Sequence, residues 1–266
     1  MCGFIGLGSQ GAPIARRMID AGLPTFLWAR RAKSLEAYRE TPAMFARTIE
    51  DLGSQASHVG ICVVNDEDVK EVCGRLVPAM SPGSRIAIHS TIHPATCREI
   101  ARTAAERDIQ VIDAPVSGGA PAAEAGNLTL MLGGDEATIR KAMPIFEAFA
   151  KLIVRVGDVG AGQKAKLINN SLFVANLGLA HSALEAGQLL GIDREKFAEL
   201  LQASSGRSFA LDVRMGITSP AAFRGGGERL REALRLLDEI LGSDHDAARQ
   251  LQHAANPFLD AAANGN

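Results

Sequence analysis

The sequence predicts an α/β fold, in which a Rossmann-type dinucleotide-binding domain is followed by an all-α domain led by a long interdomain helix. Short apolar runs alternate with helix-length segments through the first half, which is typical of βαβ units around a parallel sheet covered on both faces. The first apolar run ends in a glycine-rich turn that opens a helix. Strand signals stop near Gly160 and helical periodicity continues to about Ala262, so we expect domains at 1–159 and 160–266.

The predicted strands are short apolar runs, each bounded by turn residues or by a helix. They lie at Cys2–Leu7, Thr25–Ala29, Val59–Val64, Arg85–His89, Gln110–Asp113, Leu128–Leu132 and Leu152–Val156. The predicted helices show the helical apolar period, and Gly22 ends the first of them. They cover Ala12–Ala21, Glu67–Met80, Pro94–Arg107, Glu136–Ala150 and, in the second domain, Gln163–Leu190.

The composition excludes several classes of function. Lys and Arg number 28 against 30 Asp and Glu, with no long run of one sign, so no nucleic-acid partner is expected. The apolar runs are too short to span a membrane, and the N-terminus lacks the basic region of a signal peptide. The cysteines form no CxxC pair and the histidines no ligand spacing, so we expect reduced thiols, no metal and a cytoplasmic location.

A GxGxxG motif stands between the first predicted strand and helix. Gly6 permits the tight turn, Gly8 lets the backbone approach a pyrophosphate, and Gly11 lets the helix pack close to the strand. Free N–H groups and the dipole at the helix N-terminus favour the phosphates. The alternative is a glycine-rich turn without a ligand, but the context favours a cofactor site. Its residues are Gly6, Leu7, Gly8, Ser9, Gln10 and Gly11.

The end of the second strand indicates which dinucleotide is bound. An NAD enzyme usually carries an acid there that binds the ribose 2′-hydroxyl, whereas this chain has Arg30, Arg31 and Lys33. Arg30 and Arg31 can bind a 2′-phosphate through forked, charge-assisted hydrogen bonds. The alternative, a solvated basic helix start, is opposed by the helix dipole. We therefore expect NADP(H) as the preferred cofactor, with NAD(H) as the second choice.

Further cofactor contacts are predicted where two other strands end. Val63, Val64 and Asn65 close one strand and are expected to line the cofactor. Thr91 follows the next strand at the carboxyl edge of the sheet, where α/β proteins bind ligands. A Ser/Thr cap before the helix that Pro94 begins is an equally good interpretation of Thr91, and it is compatible with binding.

A polar stripe marks the start of the long helix. Lys166, Asn169 and Asn170 are spaced i, i+3 and i+4 and therefore share one helix face. Reduction of a carbonyl builds negative charge on oxygen, and an ammonium that donates a proton there stabilises the transition state. Lys164 points elsewhere and serves as a control. For most helical lysines the better interpretation is a solvated surface residue, but the neighbouring asparagines favour a site.

These motifs together resemble the β-hydroxyacid dehydrogenases, the family of 3-hydroxyisobutyrate dehydrogenase, tartronate semialdehyde reductase and glyoxylate/succinic semialdehyde reductase. The resemblance rests on GFIGLGSQGAPIARRM, HSTIHP, DAPVSGG with GNLTLMLGG, and GAGQKAKLINN, in that order along the chain. It implies a Rossmann-type domain related to that of 6-phosphogluconate dehydrogenase, followed by an all-helical domain. It also implies a homodimer or homotetramer that associates through the helical domain.

The resemblance assigns roles to the remaining candidates. The family's catalytic lysine falls on Lys166, its substrate-orienting asparagine on Asn170, and Thr91 lies near the nicotinamide. The loop Ser117-Gly118-Gly119 falls on the segment that anchors the substrate carboxylate, with Ser117 counted among the catalytic residues. A hydroxyl beside backbone N–H groups suits an anion, and the glycines allow close approach. The alternative for this loop is a flexible linker between two strands.

The chain departs from the family pattern in the second domain. Our alignment places Glu232-Ala233 where the family has a Lys-Asp pair, and a glutamate there would repel carboxylates. Three explanations stay open. Arg231 or Arg235 takes the place of the lysine, the alignment is shifted in this region, or the substrate is not a simple acid. The preceding glycines Gly225–Gly227 suggest a mobile hinge or lid. His181 and Glu185, four residues apart, are interpreted as a surface pair.

The residues and the resemblance together imply an NADP-dependent enzyme that acts on CH–OH groups. It would interconvert a small, carboxylate-bearing β-hydroxyacid or related alcohol and its semialdehyde or ketone, with Lys166 as general acid/base. One alternative is an imine reductase-like enzyme, against which Lys166 counts because such enzymes typically lack it. The other is a non-catalytic NADPH-binding dimeric sensor or scaffold, against which Lys166 and Asn170 both count.

Overall fold

A computed structural model describes residues 1–242 and 245–264, which form two compact units, Met1–Lys166 and Leu167–Asn266. The strands of the first unit are β1 Cys2–Ile5, β2 Thr25–Trp28, β3 Met44–Phe45, β4 His58–Ile61, β5 Arg85–Ile88, β6 Gln110–Asp113, β7 Val116–Ser117, β8 Leu128–Gly133 and β9 Ala150–Gly157. Its helices are α1 Gly11–Asp20, α2 Ile49–Gln55, α3 Asp66–Ala79, α4 Pro94–Ala105, α5 Gly119–Glu124 and α6 Glu136–Phe146, with a 3₁₀ helix at Ala32–Tyr38.

The strands form one sheet whose order begins β3-β2-β1-β4-β5-β6, all parallel. The register aligns the last residues of the central strands, pairing Ile5 with both Trp28 and Ile61, and Ile88 with both Ile61 and Asp113. The loops that leave these strands therefore meet at one edge of the sheet. Separate apolar clusters pack on the two faces, as the sequence predicts.

Strand β8 departs from the predicted parallel arrangement. It runs antiparallel to β6 and β7 and parallel to β9, which lies on its other side. Gly118 and Gly119 have positive φ angles of 127° and 69° at the end of β7, where the chain turns into helix α5 before β8 returns to pair with β7. The loop at Ser117-Gly118-Gly119 is thus a strand end followed by helix α5, and the linker alternative is wrong.

The second unit is helical in the part that the structure describes. Helix α7 spans Ala161–Leu189, so its first turns belong to the first unit and the remainder to the second. It is followed by α8 Arg194–Ala203, α9 Phe209–Gly216, a 3₁₀ helix at Pro220–Phe223, α10 Arg224–Leu241 and α11 Asp246–Asn264. The predicted fold class is confirmed, whereas the domain division after residue 159 stays a prediction. Among the described helices, none has an apolar stretch long enough to cross a bilayer.

Close helix packing explains several residues of the second unit. A Cβ on Gly178 of α7 would lie 1.8 Å from the carbonyl oxygen of Ala254 in α11, so a glycine lets the two backbones touch. Gly225–Gly227, where the sequence suggests a mobile hinge or lid, lie in the first turn of α10. His181 Nε2 lies 3.4 Å from Glu185 Oε1, so the two residues do pair. Only Glu185 is at the surface, because His181 is buried and packs edge-on against Phe258.

Candidate functional site

The glycine-rich turn after β1 is shaped by two close backbone contacts. Gly6 has a φ of +96°, and a Cβ on it would lie 2.1 Å from the carbonyl oxygen of Cys62. A Cβ on Gly11 would lie 1.9 Å from the carbonyl oxygen of Gly6. These two glycines therefore let the turn fold onto the end of β4 and let α1 begin directly above it.

Gly8 differs from the other two glycines because a Cβ on it would meet no atom within 4 Å. The neighbouring N-terminus of α1 has no acid in its first turn, and no side chain caps it at Gln10. Leu7 is half-buried against the core while Ser9 is exposed, so the turn presents mainly backbone at this point. Open space, a free helix N-terminus and exposed amides fit a dinucleotide pyrophosphate.

We predict that Gly8→Ala and Gly11→Ala have opposite signatures. The alanine at position 8 should leave the melting temperature of the ligand-free protein within about 2 °C, yet weaken NADPH binding at least about tenfold, because its methyl group fills the phosphate approach. The alanine at position 11 should destabilise the protein itself by about 2–4 kcal/mol through the clash with Gly6. Melting curves with and without NADPH check both. Equal NADPH affinity in Gly8→Ala and wild type would contradict a phosphate site at this turn.

Beyond β2, the two predicted arginines have different surroundings. The Nη2 atom of Arg30 lies 2.7 Å from Oδ1 of Asp68 and 3.2 Å from Oε2 of Glu71, both on α3. Arg31 occupies the N-cap position of the 3₁₀ helix without a side-chain capping bond and, within residues 1–242 and 245–264, forms no ion pair. The Tyr38 hydroxyl at the end of this helix donates to the Ala12 carbonyl at 2.8 Å, which fixes the segment against α1. The sequence did not predict that Asp68 and Glu71 pair with Arg30, or that Tyr38 fixes this segment.

The residues after β4 combine structural and exposed groups. The Val63 N–H donates to the Ser90 hydroxyl at 2.8 Å, which ties together the loops that follow β4 and β5. Val64 is 85% exposed, so an apolar side chain stands free beside the turn. Asn65 caps α3, because its side-chain oxygen accepts from the Asp68 N–H at 2.9 Å. The structure places all three near the carboxyl edge, with Asn65 already engaged as a cap.

The loop after β5 leaves Thr91 without a capping role. Helix α4 is capped by His93, whose Nδ1 accepts from the Ala95 N–H at 3.0 Å. The Ser/Thr-cap interpretation of Thr91 is therefore wrong, and this half-buried residue has no hydrogen bond within the described ranges.

His89 is structural, because its Nδ1 lies 2.9 Å from the Ala114 carbonyl oxygen and burial lowers its pKa to about 4. No metal-ligating cluster occurs among the described residues.

Asp113 at the end of β6 anchors the start of α7. Its carboxylate is fully buried and accepts from the backbone N–H groups of Gly160 at 2.7 Å and Gln163 at 2.8 Å. Burial raises the pKa of this carboxyl, while the backbone donors oppose that effect. Sequence reasoning treated Asp113 only as a strand end. The available signal was an acid directly after the apolar residues Val111 and Ile112, at the end of a strand in the middle of the predicted sheet, where a buried carboxylate needs donors.

Gln163 connects the same helix turn to the loop that follows β5. Its side-chain amide donates to the Ser90 carbonyl at 2.7 Å and accepts from the Ile92 N–H at 3.1 Å. The bonds enclose Thr91, which lies between those two residues. Lys166 follows Gln163 by three residues on α7 and therefore lies on the same side of the helix. The catalytic candidate is thus one turn from the Thr91 loop.

Lys166 is a buried amine, in contrast to the exposed Lys164. Burial lowers the pKa of Lys166 to about 8, because desolvation disfavours the ammonium. Within residues 1–242 and 245–264, no carboxylate lies at ion-pair distance from it. Asn169 and Asn170 are half-buried further along α7, with their side chains 3.5 Å apart. A lysine titrating near neutral pH can both give and take a proton.

The Ser117 loop lies beside β8, the strand that also supports the start of α7. Ser117 pairs with Thr129 of β8, and a Cβ on Gly162 of α7 would lie 2.3 Å from the carbonyl oxygen of Met131 on the same strand. Thr129 and Met131 are two residues apart, which is about 7 Å along a strand. Ser117 is half-buried and Gly118 is exposed, so a hydroxyl and free backbone stand next to the helix start.

Four charged residues of α10, among them Glu232, are already paired with an opposite charge. Arg235 binds Glu232 at 2.7 Å and Glu239 at 3.0 Å, and Arg231 binds Asp260 at 3.1 Å. The guanidinium of Arg235 holds the pKa of the Glu232 carboxyl below its usual range. The negative charge of Glu232 is thus compensated by Arg235 on the same helix, which lessens the repulsion of a carboxylate that the sequence suggested.

Comparison with known proteins gives concordant matches over the chain. Residues 1–157 match the family described as the NAD binding domain of 6-phosphogluconate dehydrogenase, and residues 160–228 match that of NADP-dependent 3-hydroxyisobutyrate dehydrogenase. The chain is 33% identical to 2-(hydroxymethyl)glutarate dehydrogenase of Eubacterium barkeri, covering 80% of this chain and 72% of the relative. It is 35% identical to the NAD-dependent L-serine dehydrogenase of Pseudomonas aeruginosa, covering 79% and 72%.

A solved structure agrees with these matches. The 3-hydroxyisobutyrate dehydrogenase of Salmonella typhimurium superposes with a TM-score of 0.82 at 27% identity, and the match covers 99% of this chain and 94% of that one. The similarity therefore extends through both compact units, including the helical region that follows the dinucleotide-binding domain.

Proposed function

The chain belongs to the β-hydroxyacid dehydrogenase family and is an NAD(P)-dependent oxidoreductase acting on CH–OH groups; from this premise we propose its substrate class and catalytic residues. The substrate is a small β-hydroxyacid or related alcohol that bears a carboxylate, and the product is its semialdehyde or ketone. Lys166 is the general acid/base. The observation that supports this most is the buried Lys166 amine, one helix turn from a glutamine bound to the Thr91 loop.

The proposed chemistry assigns one task to each group. A nicotinamide held near Thr91 would supply the hydride in reduction and accept it in oxidation, so that alcohol and NADP⁺ would give carbonyl compound, NADPH and a proton. In reduction, the Lys166 Nζ donates a proton to the carbonyl oxygen, and in oxidation it takes the hydroxyl proton. Asn170 orients the substrate through its side-chain amide. Ser117, Gly118 and Gly119 bind the substrate carboxylate through a hydroxyl and backbone N–H groups.

We propose NADP(H) as the preferred cofactor and NAD(H) as the second choice. The turn Gly6–Gly11 binds the pyrophosphate, Val63, Val64 and Asn65 flank the adenosine side, and Thr91 lies near the nicotinamide. The support for NADP(H) is the absence of an acid at the end of β2 and the presence there of Arg30 and Arg31. One relative is named as NAD-dependent, and one matching family is described as NADP-dependent, so this preference is a property to be measured.

A homodimer or homotetramer in the cytoplasm is proposed as the working form. Ile168, Leu172 and Leu179 lie along one side of α7 at helical spacing, and each is more than half exposed. A stripe of this kind is typical of a surface that a second copy covers. The domain division after residue 159 assigns this stripe to the helical domain. A molecular mass in solution equal to that of one chain would refute the proposed oligomer.

The cytoplasmic location is supported by the free cysteines, which are consistent with a reducing compartment.

The function is tested by following NADPH oxidation and NADP⁺ reduction against a substrate panel. The panel contains glyoxylate, succinic semialdehyde, tartronate semialdehyde, 3-hydroxyisobutyrate, serine and a cyclic imine, with NADH as cofactor control. We expect turnover on a carboxylate-bearing aldehyde or hydroxyacid. Turnover on the cyclic imine alone would establish the imine reductase alternative. Tight NADPH binding without turnover on any acid would favour the sensor and refute the proposed substrate class.

A further inference from the structure

The ion pair of Arg30 spans the adenosine side of the cofactor site. Strand β1 lies between β2 and β4 in the sheet, Arg30 follows β2, and Asp68 and Glu71 lie on the helix that follows β4. The contacts of Arg30 with these two acids therefore cross the carboxyl end of β1, beside the glycine-rich turn. In a dinucleotide-binding fold, this is the side on which the ribose 2′ position is recognised.

One guanidinium nitrogen serves both carboxylates. Asp68 is 20% exposed, and its N–H is held by the Asn65 cap, so its position is fixed by the start of α3. Glu71 follows three residues later on the same helix face. The two acids carry one more charge than Arg30 neutralises. An arginine in these surroundings presents much less positive potential to a ligand than an unpaired arginine does.

We propose that Asp68 and Glu71 determine cofactor specificity by engaging Arg30 and opposing a 2′-phosphate, so that discrimination for NADP(H) depends mainly on Arg31. This inference rests on the proposed cofactor preference and makes it more specific. Asp68 and Glu71 belong to no cofactor-binding motif, yet in this proposal they set how strongly the enzyme prefers NADP(H) over NAD(H). By weakening the binding of the 2′-phosphate they leave NAD(H) as a second cofactor.

Asp68 and Glu71 would repel a 2′-phosphate even when Arg30 turns towards the ligand. The Arg30 side chain is 61% exposed and that of Glu71 is 54% exposed, and an ion pair this exposed breaks at little cost. Once Arg30 leaves, Asp68 and Glu71 stand uncompensated near a phosphate that carries between one and two negative charges. Neutralising them removes this repulsion, whereas a 2′-hydroxyl carries no charge and responds little.

Trp28 provides a direct readout of cofactor binding. It is the single tryptophan of the chain, lies at the end of β2 two residues before Arg30, and is half-buried. Its fluorescence should fall as NADPH or NADH binds, because the reduced nicotinamide absorbs where tryptophan emits. Displacement of NADPH by 2′,5′-ADP or by 5′-AMP then isolates the adenosine side. None of these titrations needs a substrate.

The test compares Asp68→Asn, Glu71→Gln and the double variant with Arg31→Ala and with Glu67→Gln. Glu67 is an exposed acid in the same helix turn and, in the described ranges, does not contact Arg30, so it controls for general loss of negative charge. We expect the double variant to bind NADPH and 2′,5′-ADP about tenfold more tightly at fixed low ionic strength. NADH and 5′-AMP should change less than about twofold, and Arg31→Ala should weaken NADPH at least about tenfold.

Two results would overturn the proposal. One is an unchanged ratio of NADPH to NADH affinity in the double variant. The other is an equal change in Glu67→Gln, which would indicate a long-range charge effect rather than a specific contact. If no substrate of the panel is turned over, the proposed substrate class fails but the binding titrations still test the role of Asp68 and Glu71. If a hydroxyacid is turned over and the ratio of NADPH to NADH affinity is unchanged in the double variant, only the role of Asp68 and Glu71 is rejected.

Discussion

Replacing Lys166 with alanine should lower kcat by about three orders of magnitude while leaving NADPH affinity within about threefold of wild type. The ammonium acts on the substrate oxygen in the transition state, whereas the cofactor is bound by the glycine-rich turn and the loops beside it. The loss should therefore fall on kcat and on kcat/KM together. The fold should lose little stability, because the variant also removes the cost of burying an amine that has no carboxylate partner.

The pH dependence tests the same residue independently. Because the pKa of Lys166 is about 8, the amine is protonated below that pH and neutral above it. Reduction needs the proton donor, so its rate should fall as pH rises through about 8. Oxidation needs the neutral base, so its rate should rise over the same interval. Both transitions should vanish in Lys166→Ala, and pH profiles of kcat/KM in each direction measure them.

Lys164→Ala is the matched control, since it removes an exposed lysine from the same turn of α7. It should retain kcat within about twofold, because a surface lysine away from the substrate contributes little. If Lys166→Ala retained wild-type turnover with both pH transitions, Lys166 would not be the acid/base, and another group near the Thr91 loop would have to supply the proton.

The sequence predicted the turn at Gly6–Gly11 and the sheet that supports it because both depend on local features. Apolar periodicity identifies strands, and the spacing of three glycines identifies a turn that the structure then explains through contacts at Gly6 and Gly11. Strand β8 was assigned the wrong direction because periodicity reports burial and carries no information on strand direction. The short segments between Arg31 and His58 lack an apolar period, so their elements went unassigned.

Long-range partners account for the rest of what sequence reasoning missed. Arg30 appeared free because Asp68 lies 38 residues away, and only the fold brings the two together. Asp113 appeared to be a strand end because its donors, Gly160 and Gln163, come about 50 residues later. Contacts of this kind follow from topology, which places the ends of neighbouring strands side by side, rather than from any local pattern.

The second large effect is expected for Asp113→Ala, which removes the anchor of α7. The variant leaves the N–H groups of Gly160 and Gln163 buried without an acceptor, at a cost of about 3–5 kcal/mol. The melting temperature should fall by about 10 °C. Well below that temperature, kcat should still drop about a hundredfold, because Gln163 and Lys166 lie on the turns that Asp113 holds in place.

Asp135→Ala separates this anchoring role from ordinary helix capping. Asp135 caps α6 by accepting from the Thr138 N–H at 2.8 Å, and its loss should cost about 1 kcal/mol with turnover unchanged. The decisive readout for Asp113→Ala is the midpoint of the pH profile. If the start of α7 loosens, Lys166 becomes better hydrated and its pKa moves from about 8 back towards its ordinary value, which shifts the midpoint upward. Lower stability with an unchanged kcat and midpoint would show that Asp113 serves the fold alone.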